Sequence, residues 1–151
     1  MRALPSILIP ALSLLVLAGA AHADSCGDLI DRVVAGTGAK LVNRTADFAE
    51  LTASEGIGMT LACGERSATG VQFRGTPLPA GYFPLFGRAG HAITGVSADV
   101  IEAAGIKAHE SAQTTRHSNV DAGAALVTCS VSSSNGSPVT ACAAIDRGER
   151  R

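Results

Sequence analysis

The 151-residue sequence has no tryptophan and few aromatic side chains of any kind, one tyrosine and four phenylalanines. It also lacks C-x-x-C, H-E-x-x-H, a G-x-S-x-G elbow and the glycine-rich loops that hold phosphates. These absences remove the usual redox, zinc-protease, serine-hydrolase and nucleotide-binding classes. The sequence therefore predicts no cofactor, and it leaves open whether the protein is an enzyme.

An excess of either charge is missing as well. Twelve Lys and Arg residues balance thirteen Asp and Glu residues, for a formal net charge of -1. Proteins that bind nucleic acid or anionic membranes by electrostatics carry a marked basic excess. We therefore predict no nucleic-acid partner.

The first 23 residues have the order of a secretory signal peptide. Arg2 provides the charged end, an apolar stretch covers residues 7–17, and Ala21-His22-Ala23 forms a small-residue cleavage site. A membrane anchor is the competing interpretation, but the apolar stretch is shorter than the ~20 residues that span a bilayer. We predict cleavage near Ala23 and a periplasmic or secreted protein without a membrane span in the mature chain.

Four cysteines lie beyond the predicted cleavage site, namely Cys26, Cys63, Cys129 and Cys142. An even number of cysteines in an exported protein indicates disulfides. Once all four are paired, none is left to act as a catalytic thiolate, which must be free. The sequence therefore predicts two structural disulfides.

The pairing follows from a hairpin signal at Asn135-Gly136, the dipeptide that best suits a type I′ turn. If these two residues form the loop, Cys129 lies directly opposite Cys142, and Cys26 is left to pair with Cys63. One observation argues against this register, because Val139 and Ile145 point away from the face that carries Cys142. Either both faces of the hairpin are partly covered, or the loop is longer and the register shifts.

Hydrophobic periodicity predicts an α+β fold in residues 24–146, followed by a flexible tail at 147–151. We expect one antiparallel sheet of about five strands with two helices on one face, in the order α-β-β-β-α-β-β. Residues 106–123 are expected to be a loop or an edge strand. The predicted elements are a helix from 26 to about 36, a strand over 40–45 whose continuation to 51 is left open, a hairpin over 57–73, one or two helices over 83–104 and a hairpin over 124–145.

A proline-rich segment over residues 76–86 contains three of the five aromatic side chains. Aromatic side chains are preferred anchors of binding interfaces, although a domain this poor in aromatics also needs them for its core. The leading hypothesis is therefore a non-enzymatic protein that binds a protein or a small apolar ligand between the second helix and the sheet. The candidate surface consists of Leu78, Tyr82, Phe83 and Phe86.

A second hypothesis is a small hydrolase or metal-binding protein that uses His109, Glu110, His117 and Asp121. All four residue types can bind a metal ion, but their spacing matches no closed zinc pattern. A solvated loop explains the same residues, so no catalytic, cofactor or metal ligand is assigned. A structural role in the cell envelope is a third possibility.

Overall fold

A computed structural model describes residues 25–148 of the chain. The predicted signal peptide and its cleavage site lie outside the described residues. Within the described range, no helix has both the length and the apolar character needed to cross a bilayer.

The described residues form a mixed α+β structure around a single antiparallel sheet. This confirms the predicted class, but the described range contains seven strands and three helices where about five strands and two helices were expected. The strand order in the sheet is β1-β2-β3-β4-β7-β6-β5. In chain order the elements are α1 (Ser25–Thr37), β1 (Lys40–Arg44), β2 (Phe48–Thr52), a 3-10 turn (Ser54–Gly56), β3 (Gly58–Ala62), β4 (Ala68–Arg74), α2 (Tyr82–Thr94), α3 (Ala98–Thr115), β5 (His117–Ala122), β6 (Ala125–Ser134) and β7 (Ser137–Asp146).

One additional strand arises because the segment over residues 40–51 turns back on itself. The Thr45 hydroxyl donates to the Asp47 carboxylate at 3.0 Å, and the Thr45 amide donates to the Phe48 carbonyl at 2.8 Å. Such local side-chain bonds favour a turn over a continuous strand. The segment therefore forms the hairpin β1–β2.

The polar segment over residues 106–123 also contributes regular structure. Helix α3 continues to Thr115 because Ile101, Ala108 and Ala112 lie on one buried face of the helix, and β5 begins two residues later. Gly95 separates α2 from α3, since its φ of 73° is the left-handed conformation that ends helices. The expectation of a loop or an edge strand over residues 106–123 is thus half right, because only β5 is an edge strand. For residues 83–104, the alternative of two helices broken near Gly95 is correct.

The glycines inside α2 allow it to pack closely against α3. A Cβ at Gly87 would lie 2.5 Å from the Ala98 carbonyl oxygen, and a Cβ at Gly90 would lie 2.6 Å from Cγ2 of Ile101. Both distances are shorter than any real contact of a Cβ atom. The propensity cost of glycine within α2 is therefore offset by close packing of the two helices.

The hairpin β6–β7 has the predicted two-residue loop. Asn135 and Gly136 have φ values of 51° and 77°, and Cys129 lies opposite Cys142 in the strand register with a Cα–Cα distance of 4.1 Å. Thr140 is buried on the same face as the disulfide, whereas Ile145 is half-buried on the other. Of the two alternatives, partial cover on both faces is correct, and the register does not shift.

The second disulfide joins Cys26 in the first turn of α1 to Cys63 just after β3, with a Cα–Cα distance of 5.4 Å. Both predicted disulfides are thus present, and no described cysteine is free. Two disulfides are typical of a secreted or extracellular protein.

Helices α2 and α3 pack on one face of the sheet, and α1 packs beside α2. The Tyr82 hydroxyl in α2 donates to the Val71 carbonyl on β4 at 2.7 Å, and the sulfur of Cys129 on β6 lies 3.4 Å from the Gly105 carbonyl oxygen in α3. The core lies between these layers. In the described part of the chain, the opposite face of the sheet carries no helix.

Candidate functional site

The helix-free face of the sheet borders a cavity of about 600 Å³. Residues from all seven strands line it, from Val42 on the outer strand β1 to His117 on the outer strand β5. Strands lie about 4.8 Å apart, so the outer strands of a flat seven-stranded sheet would be roughly 29 Å apart. Because one cavity borders both outer strands, we infer that the sheet is concave on this side.

Glycine and alanine form the floor of the cavity on the three central strands, at Gly58, Gly70, Ala141 and Ala143. Gly70 lies opposite Ala143 across β4 and β7. A Cβ at Gly70 would lie 2.7 Å from the Thr60 hydroxyl oxygen, so Thr60 occupies the space above this glycine. The cavity has its depth because these positions carry at most a methyl group.

Seven polar residues surround this floor, namely Glu50, Thr60, Gln72, His117, Asn119, Thr128 and Ser130. Within the described part of the chain, the side chains of these seven residues make no hydrogen bond to one another or to other residues. Their donors and acceptors are therefore available to a bound molecule.

The cavity lining has a slight negative character. Glu50 carries the only formal charge among the described lining residues, and no lysine or arginine is among them. An anionic ligand would meet a carboxylate without a compensating cation, which is unfavourable. A neutral or cationic molecule is compatible with the same lining.

The segment over residues 76–86 lies on the helix side of the sheet, away from this cavity. Tyr82 and Phe86 are fully buried, and burial raises the pKa of the Tyr82 phenol. Phe83 is half-buried against the Tyr82 ring at a centroid distance of 5.1 Å, and Leu78 is also half-buried. Tyr82 and Phe86 therefore offer no accessible surface, and the predicted binding surface is reduced to Leu78 and Phe83.

The second candidate set is divided by the sheet. His109 lies on α3 with its ring 5.5 Å from that of Phe83, while His117 and Asp121 lie on the cavity side of β5. Burial lowers the pKa of His109, against a smaller raising effect of Glu110. Within residues 25–148, no group of three or more His, Cys, Asp or Glu side chains could hold a metal ion. The structure does not bring these four residues together.

Asp121 has a different partner. Its carboxylate forms an ion pair with Arg147, and the amide of Arg147 donates to the Ala124 carbonyl. Arg147, which falls in the predicted tail, is thus attached to the end of the sheet.

The chain matches no protein-family model, no curated protein and no solved structure. The function proposed below therefore depends on the geometry of the site alone.

Sequence reasoning missed the residues of the cavity floor. A usable signal was present, because the outward positions of β3 are Gly58, Thr60 and Ala62, and the central outward positions of β7, between Val139 and Ile145, are Ala141 and Ala143. A strand face exposed to solvent usually carries larger polar or charged side chains. Small residues at successive outward positions of two strands indicate a surface kept clear of side chains.

Proposed function

We propose that this protein is an exported, non-enzymatic binding protein that holds a small organic molecule on the concave face of its sheet. The observation that carries this proposal is the 600 Å³ cavity with its floor of glycine and alanine. Its volume lies within the range of roughly 300–1,000 Å³ that is typical of small-molecule sites.

The shape and charge of the cavity limit the chemistry of the ligand. The lining extends across the sheet from Val42 to His117, which favours an elongated molecule. The glycine and alanine floor fits an apolar body, and the surrounding amides and hydroxyls fit a ligand with hydrogen-bonding groups. Glu50 favours a neutral or cationic ligand over an anion.

A matched set of three probes tests the site and the charge preference separately. Hexanamide, hexylammonium and hexanoate share one chain and differ in charge, and their binding can be followed by amide chemical shifts of the isotope-labelled protein. We expect hexanamide and hexylammonium to shift the amides of β3, β4 and β7, and hexanoate to bind more weakly. The shifts should be largest near Gly70 and Ala143.

A cavity-filling variant provides the control for location. Ala143→Trp places a large side chain on the open floor, where it has room, so the protein should fold and lose probe binding. Leu126→Trp introduces the same side chain on the same face of the sheet, on β6 but outside the cavity lining, so this variant should keep binding. No shifts on the concave face, or equal binding by both variants, would reject the site, whereas strongest binding of hexanoate would reject only the charge preference.

A further inference from the structure

Six of the residues that line the cavity form a single row across the sheet. Residues directly opposite each other on paired strands lie on the same face, and each member of the row stands opposite the next on the neighbouring strand. From β2 to β5 the row consists of Glu50, Thr60, Gly70, Ala143, Thr128 and Asn119. The lining therefore has a fixed order, which is a carboxylate, a hydroxyl, two small residues, a second hydroxyl and an amide.

The open floor is longer across the strands than along them. On β7 the outward positions that line the cavity are Ala141 and Ala143. The next outward positions on either side, Val139 and Ile145, carry larger side chains and do not line it. The three strand spacings between the two threonines of the row measure about 14 Å, whereas Ala141 and Ala143 are about 7 Å apart. An elongated molecule therefore fits along the row, across the strands.

The two ends of the row differ in charge. Glu50, at the β2 end, carries the only formal charge among the described lining residues, and it forms no ion pair with any of them or with another described residue. Lys40 stands opposite Thr52, two residues along β2 from Glu50, and does not pair with it. Thr128 and Asn119, at the β5 end, offer a hydroxyl and an amide, which donate and accept hydrogen bonds without a charge.

We propose that the cavity binds an elongated primary amine that carries a neutral hydrogen-bonding group, an amide or a hydroxyl, at its other end. Its ammonium group pairs with Glu50, and its apolar chain crosses the floor at Gly70 and Ala143. Its neutral end binds Thr128 and Asn119. This ligand class rests on the function proposed above, because it requires that the cavity hold a small molecule.

Two probes of equal length test the ammonium end. One is ω-aminodecanamide, with an ammonium and an amide at opposite ends of a ten-carbon chain, and the other is ω-hydroxydecanamide, which has a hydroxyl in place of the ammonium. We expect both probes to shift the amide resonances of the isotope-labelled protein at both ends of the row, near Thr60 and near Thr128. The amine should bind roughly threefold more tightly, in keeping with an exposed ion pair.

Matched variants assign each end of the row. Glu50→Gln should reduce the affinity for ω-aminodecanamide to that for ω-hydroxydecanamide. Glu65→Gln removes the same charge from the exposed turn between β3 and β4, outside the lining, and should keep the threefold preference. Thr128→Val should weaken both probes by a similar factor of about three, because each probe loses the same hydrogen bond.

The outcomes separate this ligand class from the binding function itself. Binding on the concave face without a preference for the amine, or a preference that Glu50→Gln retains or Glu65→Gln also removes, would overturn the ligand class alone. Shifts by ω-aminodecanamide confined to one end of the row would do the same. If hexanamide and both longer probes left the concave face unshifted, the proposed function would be rejected, and the ligand class with it.

Discussion

The hydroxyl of Tyr82, in the first turn of α2, donates a 2.7 Å hydrogen bond to the backbone carbonyl of Val71 on β4. Its ring is fully buried, so this bond joins helix and sheet inside the core. It fixes α2 to the face of the sheet opposite the cavity. Contacts of this kind attach the helices to the back of the concave face.

Tyr82→Phe should lower the free energy of unfolding by about 1 kcal/mol, because the Val71 carbonyl loses this partner while the ring packing is kept. Urea denaturation monitored by far-ultraviolet circular dichroism measures the change. Tyr82→Ala should cost about 3–5 kcal/mol, since it also leaves a cavity. Equal effects of the two substitutions would show that the hydroxyl, and not the ring, dominates.

Stability should fall as the pH rises above about 10, where a tyrosine in the unfolded chain ionises. Burial raises the pKa of Tyr82 in the folded state, so the folded protein keeps the proton that the unfolded chain releases. The free energy of unfolding then decreases with pH by up to ~1.4 kcal/mol per unit from this group. Tyr82→Phe should remove this part of the dependence.

The ionisation itself can be measured directly. Tyr82 is the only tyrosine in the sequence, so the near-ultraviolet absorbance of tyrosinate reports on it alone. We expect tyrosinate to form together with the unfolding transition. Ionisation near pH 10 in a protein that stays folded would contradict the buried position of the phenol.

Gly90→Ala should destabilise the protein by about 1–3 kcal/mol, the usual cost of overpacking a core. The added methyl would lie 2.6 Å from Cγ2 of Ile101 and 3.0 Å from Cβ of Ala144. Gly36→Ala is the matched control, because it lies in α1 with its nearest neighbour 3.9 Å away. There the gain in helix propensity of up to ~1 kcal/mol should dominate, so thermal unfolding should shift in opposite directions for the two variants.

Removing either disulfide should destabilise the protein, and the longer loop should matter more. On the loop-entropy model, replacing Cys26 and Cys63 by serine costs ~4 kcal/mol, and replacing Cys129 and Cys142 costs ~3 kcal/mol. The sequence separations are 37 and 13 residues. Chemical denaturation of the two double variants measures the difference, and a larger loss for the shorter loop would contradict the model.

Local signals predicted the parts of the fold that depend on neighbouring residues. The Asn135-Gly136 turn determined the register of β6 and β7 and hence the Cys129–Cys142 pair, because both turn residues need positive φ. The break between α2 and α3 was one of two alternatives, and Gly95 decided it. The hairpin β1–β2 was missed, since its turn depends on short polar bonds at Thr45 that a strand pattern does not reveal.

The candidate site was not predictable in the same way. Residues distant in sequence meet on its floor, as Gly70 and Ala143 do across β4 and β7, and no local pattern gives that pairing. The aromatic segment looked like a binding surface, but Tyr82 and Phe86 are buried. Because the chain has so few aromatic side chains, it uses Tyr82 and Phe86 to fill the core and does not expose them.

The sequence by itself determined the α+β class and the turn between the last two strands with its Cys129–Cys142 pair, because each depends on periodicity or on the conformational limits of a few adjacent residues, and the Cys26–Cys63 pair followed by elimination. Only the tertiary structure decided the strand order, the face that the helices cover and the curvature that makes the other face concave. These properties result from packing between distant segments, where buried area and steric fit, rather than local propensity, select the arrangement.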